Sequence, residues 1–110
     1  MVADQQGCPT YAADLAEAIM QIVTAAQNGN KACGIYHYSN AGSITWFEFA
    51  TAIKEIAGLT CSVLPIPTEA FPTPAKRPAY SVMDIKDIAD VFGIELKEWK
   101  TSLRKCIEKM

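Results

Sequence analysis

The sequence predicts a small mixed α/β domain, of the α+β type, with about four helices and a few short strands. Three observations lead to this prediction. Apolar residues recur with helical spacing in several segments, an aromatic and β-branched segment typical of a strand lies between two of them, and five of the six prolines fall between positions 65 and 78. The 110 residues, half of them hydrophobic, are enough for one packed domain but not for two complete ones.

The first predicted strand covers residues 2–5, and the Gly7–Pro9 segment ends it. Thr10 is expected to cap the helix that follows, because its hydroxyl can accept a hydrogen bond from a free amide of the first turn. Asn28 and Gly29 predict the end of this helix. The helical spacing predicts a buried face made of Leu15, Ile19, Ile22, Val23 and Ala26.

A second strand is predicted at Gly34–Ser39, where aromatic and β-branched residues are concentrated. Asn40–Gly42 contains residues typical of a turn and closes this strand. His37, the only histidine, lies within the predicted strand between aromatic neighbours. We interpret it as a partly buried strand residue rather than as the base of a catalytic triad.

Thr45 and Glu48 have the spacing of a capping box at the start of the second helix. In this motif the threonine hydroxyl accepts from the glutamate amide, and the glutamate side chain accepts from the threonine amide. Ile44 precedes the box in the position of a hydrophobic staple, and Gly58 predicts the helix end. The predicted buried face contains Phe49, Ala50, Ile53, Ile56 and Ala57.

Prolines dominate the middle of the chain. Val63–Pro67 is expected to be extended and to lie at a sheet edge, because proline has no amide hydrogen to donate. Phe71–Pro78 is predicted to be a stiff, irregular surface segment. It carries two adjacent cations, Lys76 and Arg77, and a stiff cationic loop loses little conformational entropy when it binds an anion. The alternative is that both charges are only solvated.

Two further helices are predicted near the carboxyl terminus. Asp84 is expected to cap the first of them, and Gly93 is expected to end it. Its inward-facing side chains are predicted to be Ile85, Ile88, Val91 and Phe92. The last amphipathic helix is indicated by the spacing of Trp99, Leu103, Cys106, Ile107 and Met110.

Composition excludes several classes of partner. The net charge of −2 argues against nucleic acid, because a protein without a cationic surface gains nothing from counterion release. No apolar run is long enough for a membrane span, and the first residues lack the pattern of a signal peptide, so we expect no membrane association and a cytoplasmic location. The four cysteines and single histidine lack the spacing of a zinc site, and no glycine-rich phosphate loop is present.

Three segments carry a resemblance to a known family: Val2–Thr10, Gly34–Ala50 and Phe71–Asp84. Their residues, order and spacing closely resemble the dTDP-4-dehydrorhamnose reductases, which belong to the extended short-chain dehydrogenases. The pattern V-x-D-Q-x-G-x-P-T, followed later by T-P-A-[KR]-R-P-x-Y-S-x-L-D, is specific to these reductases and their close relatives. Met83 stands where leucine is usual, which is a conservative difference.

The resemblance implies a two-domain parent enzyme. An amino-terminal Rossmann domain of such reductases carries a glycine-rich loop and a Tyr-x-x-x-Lys catalytic pair, and a smaller carboxyl-terminal domain holds the nucleotide sugar. This chain has neither motif, so the Rossmann domain is absent and residues 1–110 are interpreted as the carboxyl-terminal nucleotide-sugar-binding domain. We therefore expect the isolated chain to have no catalytic residue, to bind no NADPH or NADH and to be inactive as a reductase.

The parent reaction that the resemblance implies is reduction of the C4 ketone of a dTDP-linked 4-keto-6-deoxy sugar to dTDP-L-rhamnose. NADPH or NADH would be the reductant, and some family members also require Mg²⁺. The implied partners are the dTDP-sugar substrate and the protein's own Rossmann domain. Apolar surface left uncovered by that domain also makes a homodimer or other self-association an expectation.

The resemblance also suggests substrate-binding residues. Arg77 is the first choice for the diphosphate, because a guanidinium can bind phosphate oxygens in a bidentate manner, and Lys76 is the second. Trp46 is a candidate for stacking on the sugar or the base, and its alternative role is in the core. The remaining candidates are Gln5, Pro9, Thr10 and Ser81, and for Pro9 and Thr10 the alternative is a purely structural role at the helix start.

Two other classes of function stay open from the sequence. One is a stand-alone binding module for nucleotide sugars, which would bind dTDP without a partner domain. The other is a regulatory subunit related to the reductases that lacks catalysis. Measurable affinity of the isolated chain for dTDP would favour the first, and a native gene without Tyr-x-x-x-Lys would favour the second.

Overall fold

The structure, a computed structural model, describes residues 1–110 and contains four helices with a small two-stranded sheet. This confirms the predicted mixed α/β class. The molecule is elongated, with principal extents of 51 × 32 × 20 Å. In chain order the elements are β1 (Gln6–Gly7), α1 (Ala12–Gln27), β2 (Ile44–Thr45), α2 (Trp46–Ala57), a 3₁₀ turn (Thr68–Ala70), α3 (Lys86–Phe92) and α4 (Trp99–Glu108).

The amino-terminal segment connects three distant parts of the chain. β1 pairs with β2 in antiparallel register, with Gln6 opposite Thr45. Gln6 also forms a parallel bridge with Tyr80, and Val2 forms one with Ile66. The strand predicted at residues 2–5 is therefore displaced to Gln6–Gly7. The segment around Ile66, expected at a sheet edge, pairs only through its isolated bridge to Val2 and is not part of the two-stranded sheet.

Helix α1 begins without the predicted threonine cap. Tyr11 occupies the N-cap position, no side chain caps the helix locally, and Thr10 is exposed. The amide of Tyr11 instead donates to Oδ1 of Asn40 at 2.7 Å. The prediction for Thr10 was wrong because a residue 29 positions away in sequence supplies the acceptor.

The buried face of α1 also differs from the prediction. Asp14 and Ala18 are the buried residues, and Ile22 packs on the same cluster. Much of the predicted apolar face lies on the surface, with exposed fractions of 39% for Leu15, 50% for Ile19 and 42% for Val23. The helix is rotated so that Asp14 enters a buried polar network, and nothing in the chain covers the apolar side.

That polar network joins α1, α4 and the loop before β2. Asn40, only 1% exposed, donates from Nδ2 to Asp14 Oδ2 at 2.9 Å and to Ser102 Oγ at 3.2 Å. Ser102 also donates to Asp14 through a short hydrogen bond, and Lys97 Nζ lies 3.4 Å from Asp14 Oδ1. Buried polar groups that are fully paired in this way fix the relative positions of the elements that carry them.

Gly34–Ser39 is not a strand in the structure. Tyr36 and Tyr38 pack on the small apolar cluster of Ala18, Ile88 and Ile94, but the segment has no neighbouring strand. A strand needs a partner for its backbone groups, and the described chain provides none here. His37, expected to be partly buried, is exposed.

Helix α2 starts at the predicted capping box. Thr45 Oγ1 accepts from the Glu48 amide at 3.2 Å, and Glu48 Oε1 accepts from the Thr45 amide at 3.4 Å. The helix ends at Gly58, whose φ of 66° is the left-handed conformation expected there. Both local predictions are confirmed, although only Ala52 is fully buried and Ala57 is exposed.

The last two helices lie close to their predicted positions. Asp84 Oδ1 accepts from the Lys86 amide at 3.0 Å, but Ile85 occupies the N-cap position of α3. Gly93 ends α3 in the left-handed region as predicted. α4 packs against α2, and α1 packs against α3. None of the four helices is long and apolar enough to cross a membrane.

Candidate functional site

An open pocket of about 530 Å³, here called the apolar pocket, lies beside the amino terminus. Val2 and Ile66 form one part of its wall, where their parallel bridge holds the amino terminus against the Val63–Pro67 segment. The Ala3 amide donates to the Ile66 carbonyl at 2.9 Å, and the Ile66 amide donates to the Met1 carbonyl at 2.9 Å. The lining residues are Met1, Val2, Gln5, Trp46, Ile66, Phe71, Thr73 and Arg77.

Trp46 lines the apolar pocket together with residues of the proline-rich segment. It is the first residue of α2, so the capping box directly before it fixes the backbone that carries the indole. Its ring contacts Phe49 edge to face, with centroids 6.2 Å apart, and 48% of the residue is exposed. An aromatic ring held by its backbone and half open to solvent offers a flat stacking surface at little entropic cost.

Gln5 is positioned by the 3₁₀ turn at Thr68–Ala70. Its Nε2 donates to Thr68 Oγ1 at 3.3 Å. The same threonine hydroxyl donates to Asp4 Oδ1 at 2.5 Å, and the Thr68 amide donates to Asp4 Oδ2 at 3.0 Å. These bonds, the one from the hydroxyl foremost, lower the pKa of Asp4 below its ordinary value. The carboxylate therefore stays ionised and holds the turn beside the pocket.

Arg77 places a positive charge at the rim of the apolar pocket. It lies in the 71–80 segment, in which every residue is exposed. The only ion pairs of the structure involve Lys97, so neither Arg77 nor Lys76 is neutralised by a carboxylate. No acidic residue lines the pocket. The arrangement combines one free guanidinium with an apolar, partly aromatic wall, which suits a ligand that is anionic at one end and flat and apolar at the other.

A second, small pocket of about 100 Å³ shares Trp46 as a lining residue with the apolar pocket. Ser81 lies against its β1 wall, where its Oγ donates to the Gln6 carbonyl at 3.1 Å. A Cβ atom on Gly7 would lie 2.9 Å from that Oγ, so the glycine permits this close approach. The small pocket is lined by Gly7, Cys8, Pro9, Ile44, Thr45, Trp46, Phe49 and Ser81.

The structure brings most of the predicted site residues together. Gln5, Trp46 and Arg77 surround the apolar pocket, and Pro9 and Ser81 join Trp46 around the small one. Lys76 lies next to Arg77 but does not line either pocket, and Thr10 is exposed outside both.

Sequence reasoning missed the apolar lining residues Phe71, Val2 and Ile66. Phe71 begins the proline-rich motif, and its position there was the one available signal. Val2 and Ile66 are 64 residues apart and meet only through the bridge between them, which no local pattern reveals.

Comparison with known proteins places the chain in a family. A sequence profile described as the RmlD substrate binding domain matches residues 1–110, the whole chain. The chain belongs to the RmlD substrate binding domain family. The resemblance read from the motifs is thereby confirmed, and the RmlD-type fold explains the four helices and the small sheet.

Individual relatives agree with this assignment. The chain is 40% identical over 109 residues to the spore coat polysaccharide biosynthesis protein SpsK of Bacillus subtilis, covering 99% of the chain and 36% of that protein. It is 34% identical over 122 residues to the dTDP-4-dehydrorhamnose reductase of Burkholderia thailandensis, covering 100% of the chain and 41% of the relative. The RmlD domain thus spans roughly two fifths of these proteins.

Solved structures show the same domain within longer chains. The crystal structure of a dTDP-4-dehydrorhamnose reductase from Bacillus anthracis in complex with NADP superimposes with a TM-score of 0.85 at 36% identity, covering 99% of this chain and 36% of that one. The corresponding structure from Clostridium acetobutylicum gives a TM-score of 0.86 at 32% identity, covering 99% and 38%.

The residues of this RmlD domain do not fit the implied cofactor or metal. The chain has no glycine-rich loop at a helix start that would hold a pyrophosphate, and no three His, Cys, Asp or Glu side chains are grouped as metal ligands. We therefore assign no chemical step in this domain to NADPH or to Mg²⁺.

Proposed function

We propose that this RmlD domain binds a dTDP-linked 4-keto-6-deoxy sugar and positions it for reduction by NADPH, which is bound by another domain of a dTDP-4-dehydrorhamnose reductase. The observation that carries the proposal is the convergence of Arg77, Trp46 and Gln5 on one open apolar pocket. A cation recognises a diphosphate, a flat aromatic surface stacks on a ring, and an amide can form hydrogen bonds with a polar ring edge.

Arg77 is assigned to the diphosphate. Its guanidinium has no carboxylate partner, so binding of an anion does not require an existing ion pair to be broken. Pro74 and Pro78 restrict the backbone around it, which lowers the entropy lost on binding. Lys76 adds a second positive charge on the same segment and contributes as a point charge rather than as a bidentate group.

Trp46 is assigned to stacking on the base or the sugar. The indole lines both pockets, so a ligand that extends from one to the other would contact it in either orientation. Gln5 lines the apolar pocket, and Pro9 and Ser81 line the small one, so such a ligand would contact all three. Thr10 is outside both pockets, and its contribution is limited to the loop that carries Pro9.

The role of this domain in the reaction is to hold the substrate. Reduction of a C4 ketone requires a hydride at the carbon and a proton at the oxygen, and we assign no residue of this chain to either transfer. Orientation of a bound sugar against a reductant on a neighbouring domain accelerates the reaction by converting a bimolecular encounter into an intramolecular one. No observation favours a stand-alone binding module or a regulatory subunit over this function.

Calorimetric titration of the 110-residue chain with dTDP tests the binding step of the proposal. A stand-alone module would also bind dTDP, and the two functions differ in whether Arg77→Ala raises the KM of a reductase that contains this domain. We expect saturable binding, and we expect Arg77→Ala to raise the dissociation constant about ten- to hundredfold, because a charge-assisted bond contributes roughly 1.5–3 kcal/mol. Arg104→Ala is the matched control, since it removes the same charge from an exposed position on α4 outside both pockets. Absence of dTDP binding, or an equal effect of both substitutions, would contradict the proposal.

A further inference from the structure

Asp4, Thr68 and Gln5 form a chain of hydrogen bonds whose direction is fixed at the aspartate. An ionised carboxylate can only accept, so Asp4 accepts from the Thr68 amide at 3.0 Å and from the Thr68 hydroxyl at 2.5 Å. A hydroxyl has a single hydrogen, and in Thr68 this hydrogen is used in the bond to Asp4. Towards any other neighbour, Thr68 Oγ1 therefore acts only as an acceptor.

This network selects one of the two orientations of the Gln5 side-chain amide. Gln5 Nε2 donates to Thr68 Oγ1 at 3.3 Å, whereas the reversed amide would place its oxygen against a second acceptor. Gln5 lines the apolar pocket, and no donor of the chain bonds to its Oε1. The side chain therefore offers the pocket a free acceptor whose identity is determined by Asp4.

Trp46 lines the same pocket and is half exposed, so a flat ring can stack on it beside this acceptor. The thymine ring carries a single hydrogen-bond donor, N3–H, between two carbonyl groups. A thymine base stacked on Trp46 can therefore bond to Gln5 Oε1 through N3–H alone. A base with an unprotonated N3 would meet an acceptor there instead of a donor.

We infer that Asp4 and Thr68 are positioning residues, which hold the Gln5 amide so that its Oε1 accepts from N3–H of a thymine base stacked on Trp46. Neither Asp4 nor Thr68 lines the apolar pocket, so both act through Gln5. The inference rests on the proposed function, because it takes a dTDP-linked sugar as the ligand. It adds the contact that selects the base and the two residues that orient this contact.

The orientation of the amide is tested first without any ligand. In NMR spectra of the free chain, we expect nuclear Overhauser effects between the side-chain amide hydrogens of Gln5 and the methyl group of Thr68. In Asp4→Asn the new Nδ2 can donate to Thr68 Oγ1, which frees the hydroxyl hydrogen to donate to Gln5. Both amide orientations then become accessible, and we expect these effects to weaken.

Selection of the base is then measured by calorimetric titration with two ligands. One is dTDP, and the other is the same nucleotide with 5-methylpyrimidin-2-one as its base, whose N3 carries no hydrogen and whose ring has no other donor. We expect the parent chain to bind dTDP at least about tenfold more tightly than this analogue, because Gln5 Oε1 has a partner only in dTDP. In Asp4→Asn the preference should fall to within about threefold, since the amide can reverse and donate to N3.

Variants of Thr68 separate its hydroxyl from its shape. Thr68→Val removes the hydroxyl that holds Gln5, and we expect the same loss of preference as in Asp4→Asn. Thr68→Ser retains the hydroxyl and should retain the preference for dTDP. Thr24→Val and Asp90→Asn are the matched controls, because both positions are exposed and line neither pocket, and both should keep the preference of the parent chain.

Three results would overturn the inference. One is the absence of the Gln5–Thr68 effects in the free parent chain. Another is an unchanged preference for dTDP in Asp4→Asn and Thr68→Val, and the third is a weakening of both ligands by the same factor, which would give the two residues a structural role only. A parent chain that binds dTDP through Arg77 without preferring it to the analogue also contradicts the base contact but leaves the proposed function intact. A parent chain that does not bind dTDP contradicts both, so the two failures are distinguishable.

Discussion

The Nδ2 of Asn40 donates to the carboxylate of Asp14 at 2.9 Å, in a contact between two residues that are both almost fully buried. The same side chain accepts from the Tyr11 amide through Oδ1, and its backbone carbonyl accepts from the Cys8 thiol. Asn40 thereby joins the start of α1 to the segment that forms one wall of the small pocket. A single polar residue in this way connects the core with the candidate site.

Asn40→Ala is expected to destabilise the chain by about 2–3 kcal/mol, because Asp14 and the Tyr11 amide would both lose a buried partner. The measurement is urea unfolding followed by circular dichroism. Gln27→Ala, at an exposed position of α1, is the control and is expected to change the free energy of unfolding by less than about 0.5 kcal/mol. Equal stability of the two variants would show that the network contributes little.

Acid sensitivity follows from the ionised state of Asp14. Burial raises the pKa of Asp14, but hydrogen bonds from Ser102 and Asn40 and the charge of Lys97 outweigh it, so the pKa lies below its ordinary value of 3.8. A depressed carboxyl pKa contributes stability that is present above pH 3.8 and is lost as the pH falls through the folded-state pKa. The melting temperature should therefore fall steeply below about pH 4.

Asp14→Asn separates this contribution from that of other carboxylates. The variant should be less stable than the parent chain at pH 7 and should show a smaller decrease in melting temperature between pH 5 and pH 3. Asp90→Asn, on the exposed side of α3, should follow the parent chain throughout. An Asp14→Asn profile parallel to that of the parent would refute the assignment of this acid transition to Asp14.

Gly42 is predicted to tolerate no side chain. A Cβ atom at this position would lie 2.5 Å from Trp99 Cδ1, and the φ of 132° is itself unfavourable for other residues. Gly42→Ala should therefore destabilise the chain by about 2–4 kcal/mol, with contributions from backbone strain and from displacement of the indole. Gly29→Ala is the matched control, since its φ is 97° and nothing lies within 4 Å of its Cβ position.

Comparison of the two glycine variants separates the cost of backbone strain from the cost of the clash with Trp99. Gly29→Ala should lose only about 1 kcal/mol, because it has the unfavourable φ without the clash. Thermal unfolding measured by tryptophan fluorescence would also report displacement of Trp99 in the Gly42 variant. A loss of stability as small as that at Gly29 would mean that the ring moves without cost.

Local signals were sufficient where the structure is determined by neighbours in sequence. The capping box appears as predicted at Thr45 and Glu48, and the helices end as predicted at Gly58 and Gly93. Each of these features depends on residues within one helical turn. The start of α1 could not be predicted in this way. Its acceptor, Asn40, belongs to a loop that only the tertiary fold brings close.

The predicted buried face of α1 and the predicted strand at Gly34–Ser39 differ from the structure for a related reason. Apolar periodicity indicates that a surface is covered, but it does not say by what, and the described chain leaves Ile19 half exposed and Ile35 almost fully exposed. The motifs of the resemblance contain Gln5, Trp46 and Arg77, which the fold places around one pocket, and their part in substrate binding stays a prediction. The apolar wall from Val2 and Ile66 depends on a register that no motif describes.

The role of Arg77 can be tested in a chimaera in which this chain replaces the matching carboxyl-terminal region of the Bacillus anthracis reductase, by steady-state kinetics with a dTDP-linked 4-keto sugar. Arg77→Ala should raise KM about ten- to hundredfold and should lower kcat much less, because contact with the diphosphate acts on ground state and transition state alike. Arg77→Lys should restore only part of the loss, since an ammonium group cannot reproduce the planar bidentate contact.

Arg104→Ala, which removes a cation that lines neither pocket, should leave both kinetic constants unchanged. The exposure of Arg77 and its lack of an ion pair make a structural role unfavourable, so its substitution should also leave the melting temperature within about 1 °C of the parent value. An unchanged KM together with a lower melting temperature would make Arg77 a structural residue, and the diphosphate would then have to be bound elsewhere, with Lys76 as the next residue to test.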